Sequence, residues 1–272
     1  MGRIIIIYFL FSFIQPVCAA GNDTTLHLLK EKSISGSFTN FYTDNLGNIF
    51  LISANNQVKK INQNFDSVGI FSDVRRYGDV YNLDVNNPLK IVVYYRDFTT
   101  ILVLDRFLNI RNTIDLRNAG ILQAKAVAQS YDNNYWVFDE LNSKIKKIDD
   151  NGTVLLESPD FRVLFSYEYN PQHIIDTDGA LYLYDTNKGW MIFDYYGAYK
   201  KHIDVTGWKD VSVYRTVLKG VDSNIVYTIN ANTYSQQKIS TGLDLSNSLK
   251  VQQQPDKLFV LHKNELSLYR IQ

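Results

Sequence analysis

Chemically reactive side chains are sparse in this 272-residue sequence, and none falls in a complete catalytic or metal-binding motif. The histidines are His27, His173, His202 and His262, and no two stand at the HxH or HExxH spacing that places two imidazoles on one metal ion. The sequence contains neither a GxSxG nucleophile elbow nor a GxxxxGK(S/T) phosphate loop. We therefore expect no catalytic residues and no cofactor.

One short acidic segment, DTDG at residues 176–179, resembles part of a calcium-binding loop. A complete loop has an oxygen ligand two residues before the first of these carboxylates, and Ile174 occupies that position. Asp and Gly are also the residues that tight turns between strands favour. We interpret the segment as a turn.

The composition excludes several classes of protein. With 28 basic and 28 acidic residues the formal net charge is zero, so the basic excess typical of nucleic-acid binding is missing. Hydrophobic residues make up 45% of the chain, which is too many for intrinsic disorder. The one cysteine, Cys18, excludes a disulfide framework and a cysteine-based zinc site.

The N-terminus has the pattern of a secretory signal peptide. Arg3 precedes the apolar run at residues 4–14, polar Gln15 and Pro16 end it, and small residues stand at positions 17–19. This pattern predicts a signal peptide over residues 1–19. The alternatives are a transmembrane anchor, which needs about 20 apolar residues, and a lipoprotein acylated at Cys18, whose preceding residues match that motif poorly.

The rest of the chain, residues 20–272, repeats one pattern six times. A turn rich in Asn, Asp and Gly precedes a short apolar strand, a polar break and a second strand, as in VKKIN at 58–62 and IKKID at 145–149. The first apolar residue of each copy falls at positions 49, 91, 135, 181, 225 and 258. Repeats of about 40 to 50 residues built from short strands are typical of β-propeller blades. A β-sandwich, the main all-β alternative, does not require such a repeat.

The two ends of the chain predict how the ring closes. The sixth copy stops at Ile271 and Gln272 without an outermost strand, and residues 26–34 form an extra strand ahead of the first copy. We expect that strand to complete the last blade and to cover its open edge. The repeated pattern resembles that of NHL-type six-bladed propellers over about residues 26–272. The resemblance implies a single all-β domain over 20–272.

The predicted innermost strands contain polar residues that would line a central channel. These strands are predicted at residues 38–43, 81–85, 124–130, 172–177, 214–218 and 249–254. Some propellers of this shape are calcium-dependent lactonases or esterases, so the resemblance makes Asp84, Asp176, Asn40 and Asn82 candidate metal ligands. The alternative interpretation is that these side chains line a water-filled channel that holds no metal, and we favour this alternative.

Long segments between predicted blades combine aromatic and charged residues, the types that dominate binding hot spots. The candidate partner-binding residues are Arg75, Arg76, Tyr77, Phe161, Arg162, Phe165, Tyr167, Tyr169, Trp208 and Lys209. Their aromatic rings would alternatively pack into their own blades.

From these features we expect a non-catalytic, exported propeller that acts as a protein-interaction scaffold. We expect it in the periplasm or on the cell surface of a Gram-negative bacterium, bound to a protein of an envelope, outer-membrane or secretion-associated complex. No nucleic-acid partner and no membrane span after signal cleavage are expected. Two alternatives remain open: a metal-dependent hydrolase or lyase with Asp84 and Asp176, and a glycan-binding propeller that uses Trp208 and exposed tyrosines.

Overall fold

Short runs of β-branched and aromatic residues, separated by Asn, Asp and Gly turns, form 25 strands in residues 23–272. A computed structural model describes these residues, and the predicted signal peptide lies outside them. The strands form six separate sheets, each a blade of a β-propeller, as the sequence predicts. No helix in residues 23–272 is long and apolar enough to cross a membrane.

Strands β1 (Asp23–Thr25) and β2 (Leu28–Ser35) precede blade one. Blade one comprises β3 (Phe38–Thr43), β4 (Ile49–Ser53), β5 (Val58–Ile61) and β6 (Ser67–Phe71). Blade two comprises β7 (Asn82–Asn87), β8 (Lys90–Tyr95), β9 (Thr100–Asp105) and β10 (Ile110–Asp115). Blade three comprises β11 (Ala124–Gln129), β12 (Tyr135–Asp139), β13 (Lys144–Ile148) and β14 (Val154–Glu157).

Blade four comprises β15 (His173–Thr177), β16 (Ala180–Asp185), β17 (Gly189–Asp194) and β18 (Tyr199–Ile203). Blade five comprises β19 (Lys209–Tyr214), β20 (Val217–Asp222), β21 (Ile225–Asn230) and β22 (Gln236–Ser240). Blade six comprises β23 (Lys250–Gln253), β24 (Lys257–His262), β25 (Glu265–Ile271) and the earlier β2. Two short α-helices, α1 (Val74–Tyr77) and α2 (Phe161–Phe165), lie between blades.

The ring closes through the N-terminal strand. β2 pairs antiparallel with β25, with Leu28 opposite Ile271 and Ile34 opposite Leu266. This pairing confirms the prediction that an N-terminal strand completes the last blade. β1 adds a contact that was not predicted, because it pairs in parallel with β22 on the outer edge of blade five.

An Asp or Asn at the end of the third strand explains why sequence motifs such as VKKIN and IKKID recur. In blade three, Asp149 Oδ1 accepts hydrogen bonds from the backbone N–H groups of Asn151 at 2.9 Å and Thr153 at 2.8 Å. Asn62, Asp105 and Asp194 accept from the residues two and four positions later in the same way. The side chain therefore fixes the turn to the fourth strand, which is why Asn or Asp recurs there.

The structure corrects the predicted register of blade five. Its innermost strand is β19 at residues 209–214, whereas the sequence predicts that strand at 214–218. Residue 225, taken as the start of the second strand, begins the third. The turn at Arg215 and Thr216 contains no Gly, Asn or Asp, although Arg215 has a positive φ of 53°. The expected turn signal is therefore missing, which shifts the prediction by one strand.

The apolar core lies between neighbouring blades. Phe50 of blade one packs with Val93 and Leu102 of blade two, and the interfaces of the other blades have the same character. The ring has two faces. We call the loop face the one formed by the segments between blades and the loops between second and third strands, and the turn face the opposite one. Each innermost strand follows an inter-blade segment, so all six begin at the loop face.

Candidate functional site

The innermost strands of all six blades enclose a central cavity of about 320 Å³. These strands are β3, β7, β11, β15, β19 and β23, and each has its second edge unpaired toward the axis. Of the candidate metal ligands, Asn40, Asn82 and Asp84 line the cavity. Asp176 lies near the other end of its strand and is not part of the lining.

Asp84 joins blade two to blade three. Its Oδ2 accepts the backbone N–H of Gln129 at 2.7 Å, and its Oδ1 accepts the N–H of Asn86 at 2.9 Å and Gln129 Nε2 at 3.2 Å. The side chain is only 8% exposed, and this burial raises its pKa, while the hydrogen bonds from Gln129 and Asn86 oppose the change. Both oxygens are therefore used within the fold.

Asp176 joins blade four to blade three. Its Oδ2 accepts hydrogen bonds from Ser130 Oγ at 2.9 Å and Trp136 Nε1 at 2.8 Å. Its Oδ1 is buried without a hydrogen-bond partner in the described part of the chain. Within residues 23–272, no group of three or more His, Cys, Asp or Glu side chains could hold a metal ion. Asp84 and Asp176 thus bond to adjacent residues of blade three, Gln129 and Ser130.

Asn40 and Asn82 belong to a chain of hydrogen bonds that crosses four blades. Lys250 Nζ donates to Asn40 Oδ1 at 2.9 Å, and Asn40 Nδ2 donates to the Tyr42 hydroxyl at 3.2 Å. That hydroxyl donates to Asn82 Oδ1 at 3.2 Å, and Asn82 Nδ2 donates to the carbonyl of Val127 at 3.0 Å. The two amides therefore connect inner strands, and a lysine stands at the donor end of the chain.

Three titratable side chains lie where the inner strands begin, at the loop-face end of the cavity. Burial lowers the pKa of Lys250 to about 8, and the Asp210 carboxylate partly opposes this. Burial raises the pKa of Asp210, whose Oδ2 accepts the N–H of Val251 at 2.7 Å. The His173 side chain is exposed to the lumen, and desolvation inside this narrow channel, with the nearby Lys250, lowers its pKa to about 4.

His173 lies in the inner strand predicted at 172–177, but the candidate site residues from the sequence omit His173, Lys250 and Asp210. Lysine is usually solvated, so its place in a predicted strand at 249–254 carried little weight. Asp210 was assigned to a loop because the inner strand of blade five was predicted one strand too late. An Asp directly before the alternating apolar residues Val211 and Val213 was the signal available for it.

Four of the ten candidate partner-binding residues are buried in their own blades: Tyr77, Phe161, Tyr169 and Trp208. The Phe161 ring stacks on Phe193 with centroids 5.5 Å apart, and the Tyr169 hydroxyl donates to the carbonyl of Leu183 at 2.8 Å. Trp208 covers Gly220 so closely that a Cβ there would lie 2.5 Å from the indole. Trp208 is therefore not free to stack on a sugar, and these four rings do not form a partner surface.

The other six candidates remain accessible on the loop face. Arg75, Arg76, Arg162 and Lys209 are exposed, and Phe165 and Tyr167 are partly buried. Arg162 pairs with Asp160 at 2.6 Å within the same turn. Within residues 23–272, neither Arg75 nor Arg76 forms an ion pair.

An exposed apolar surface on the loop face was not predicted. It extends over blades two to four, and each of its five members is at least 46% exposed. We call it the apolar arc: Phe98, Leu122, Leu141, Val163 and Leu164. Phe98 and Leu141 each stand among polar loop residues, whereas Leu122 follows Ile121 and Val163 and Leu164 belong to the apolar helix α2, so the sequence does not mark the five as one surface.

Hydrogen bonds beside the arc hold its segments together. Thr99 Oγ1 donates to the carbonyl of Leu122 at 3.3 Å, which joins the loop of Phe98 to the next inter-blade segment. Gln123 Nε2 donates to Glu140 Oε2 at 2.7 Å, next to Leu141. These bonds connect the segments that carry Phe98, Leu122 and Leu141.

Comparison with known proteins identifies the fold alone. No protein-family model matches the sequence, and no curated protein matches it. Solved structures of β-propellers are similar. Virginiamycin B lyase from Staphylococcus aureus has a TM-score of 0.63 at 11% identity and covers 91% of this chain and 100% of its own. The Pan2 WD40 domain from Neurospora crassa has a TM-score of 0.65 at 10% identity, and the match covers 90% of this chain and 95% of that domain. BamB from Moraxella catarrhalis has a TM-score of 0.54 at 9% identity, and the match covers 90% of this chain and 100% of BamB.

Proposed function

We propose that this protein is a non-catalytic interaction scaffold whose protein partner binds the loop face through the apolar arc. The arc carries this proposal, because its five exposed large apolar side chains lie on the loop face of neighbouring blades, and exposed apolar surface is typical of interaction sites. Both oxygens of Asp84 and one oxygen of Asp176 accept hydrogen bonds, chiefly from blade three, and only Asp176 Oδ1 lacks a partner among the described residues. The β-propeller fold is shared with enzymes and with domains of larger assemblies, so the fold itself does not decide between the two.

The charged neighbours of the arc indicate the chemistry of the partner. Gly78 follows α1, and a Cβ built on it would lie 3.4 Å from the Asp97 carboxylate and 3.5 Å from the Phe98 ring, so two arginines, Arg75 and Arg76, and one acidic residue stand beside one end of the arc. Arginine and aromatic residues together are typical of binding hot spots. We expect the partner to present an apolar segment flanked by acidic side chains.

The proposal includes an exported location, in the periplasm or on the surface of a Gram-negative cell, and an NHL-like repeat. The signal-peptide pattern of residues 1–19 and the repeated phrases such as IKKID support these two parts. Cell fractionation with an antibody to the folded protein tests the location. A protein found only in the cytoplasm would contradict it.

Two leucines with equal exposure on opposite faces test the interaction itself. Leu122 in the arc is 64% exposed, and Leu89 in a hairpin on the turn face is 63% exposed. We expect Leu122→Glu to abolish crosslinked recovery of the partner from native membranes, because it places a charge in the apolar contact. Leu89→Glu should leave recovery unchanged. Equal recovery with both variants, or a monomer that recovers no partner, would overturn the proposal.

A further inference from the structure

Lys250 has unused hydrogen-bonding capacity at the centre of the ring. Among residues 23–272, its ammonium group has one hydrogen-bond acceptor, Asn40 Oδ1, and no carboxylate oxygen within 4.0 Å. Its Nζ lies 3.7 Å from the centroid of the Tyr42 ring. The face of the ring attracts the cation but does not replace a hydrogen-bond acceptor. An ammonium group has three protons, so two remain for a ligand.

The carboxylates around the cavity do not neutralise this lysine directly. Both oxygens of Asp84 accept N–H groups of Asn86 and Gln129. Asp210 Oδ2 accepts the N–H of Val251, and its carboxylate lies near enough to raise the pKa of Lys250 without forming an ion pair. A charged lysine that is partly desolvated and not paired is costly, and an anion would relieve that cost.

The position and size of the cavity suit a small ligand. Lys250 and His173 are the first residues of β23 and β15, and Asp210 is the second residue of β19, so all three lie at the loop-face end. A volume of about 320 Å³ is at the lower end of the range for small-molecule sites. The unpaired edges of the inner strands also present backbone N–H groups to the lumen.

We propose that the loop-face end of the central cavity binds a small molecule that carries an oxyanion, with the ammonium group of Lys250 as the anion-binding group. This site is independent of the apolar arc and goes beyond the proposed interaction function. The His173 ring lies beside it and is uncharged near neutral pH, since desolvation lowers its pKa to about 4. It therefore neither competes with Lys250 for the anion nor repels the lysine.

Isothermal titration calorimetry of the folded protein with two separate probes, sodium acetate and inorganic phosphate, tests the proposal. Acetamide is the neutral analogue of acetate. We expect saturable binding of at least one anion at millimolar concentration and none of acetamide. Whether acetate or phosphate binds more tightly distinguishes a carboxylate ligand from a phosphate ligand. Failure of both anions to bind, or equal binding of acetamide, would overturn the proposal.

Three variants separate a charge effect from damage to the channel. Lys250→Met should weaken anion binding at least about tenfold, because it removes a charge-assisted hydrogen bond. Lys263→Met, which alters an exposed lysine of the same blade, should bind like the parent protein. At about pH 6, where Lys250 stays charged without help from the Asp210 carboxylate, Asp210→Asn should bind anions about threefold more tightly or better, because it removes a nearby negative charge. Binding retained in Lys250→Met, or lost in Asp210→Asn, would contradict the assignment.

Discussion

Single residues near the axis act chiefly as connections between blades. Asp84 and Asp176 both use carboxylate oxygens to bind groups of blade three, and Asp210 binds the backbone of blade six. A buried carboxylate that accepts several N–H groups satisfies donors that would otherwise lose their water. The polar lining of the channel is therefore part of what holds neighbouring blades in register.

Asp84→Ala tests this role through stability. The substitution leaves the buried N–H of Gln129 without an acceptor, so we expect a loss of about 1–3 kcal/mol in the free energy of unfolding. Urea-induced unfolding measures it. Asp97→Ala, at an exposed loop position, is the control and should change stability by less than about 0.5 kcal/mol. Equal effects of the two substitutions would show that the hydrogen bonds of Asp84 do not stabilise the ring.

His173 should make the fold sensitive to acid. Its pKa in the folded protein is lowered from 6.5 to about 4, so the unfolded chain takes up a proton at a higher pH than the folded one. Stability should therefore fall as the pH drops from about 6.5 to about 4, and this contribution should be constant below that window.

His173→Gln should lose less stability than the parent between pH 6.5 and 4, as measured by urea unfolding at several pH values. His27→Gln, altered on the exposed N-terminal segment, controls for the removal of a histidine. Parallel pH profiles for the parent and His173→Gln would contradict the lowered pKa.

The sequence predicts which residues reach the channel better than what they do there. Asn40, Asn82 and Asp84 lie in the lining as expected, because they belong to inner strands whose turns are clear in the sequence. Their hydrogen-bond partners are distant in the chain, as Gln129 is 45 residues from Asp84, so local patterns do not reveal them.

At the level of elements, close contacts fix the segments that join blades. Trp208 ends the segment between blades four and five, and its indole lies directly over Gly220 of β20. Only a residue without a side chain fits beneath the ring. The sequence places Trp208 in an inter-blade segment correctly, but its burial depends on a glycine in the next blade.

Gly220→Ala should destabilise the protein by about 1–3 kcal/mol, because the added methyl group overlaps the indole of Trp208. Chemical unfolding followed by circular dichroism measures the loss. The double variant Gly220→Ala with Trp208→Leu tests the cause, since the methyl group then has room. Its loss should be smaller than the sum of the two single losses. Additive losses would mean that the contact is not the source of the strain.

The turn chemistry explains why five blades were placed correctly and one was not. Asn or Asp at the ends of strands gives a local signal in blades one to four and blade six. Blade five turns at Arg215 and Thr216, where only the backbone conformation of Arg215 marks the turn. A strand boundary without its usual residues is not visible in a single sequence.

At the level of the whole molecule, the ring depends on the N-terminal strand. β2 covers the edge of β25, and β1 adds a short parallel contact to blade five. Removing residues 23–35 should expose that edge, lower the melting temperature and cause aggregation, because unpaired strands associate with other chains. Removing residues 23–25 alone should have a much smaller effect. Calorimetry and light scattering compare the two, and equal stability of both truncated proteins would contradict closure by β2.

The most direct test of the interaction proposal is photo-crosslinking in intact cells of the source organism. A photoreactive amino acid replaces Leu122 in one protein and Leu89 in another, two positions of equal exposure on opposite faces. If the loop face binds the partner through the apolar arc, position 122 should give a discrete crosslinked protein and position 89 should give none. Crosslinks from position 89 alone, or the same crosslinks from both, would contradict the proposed binding face.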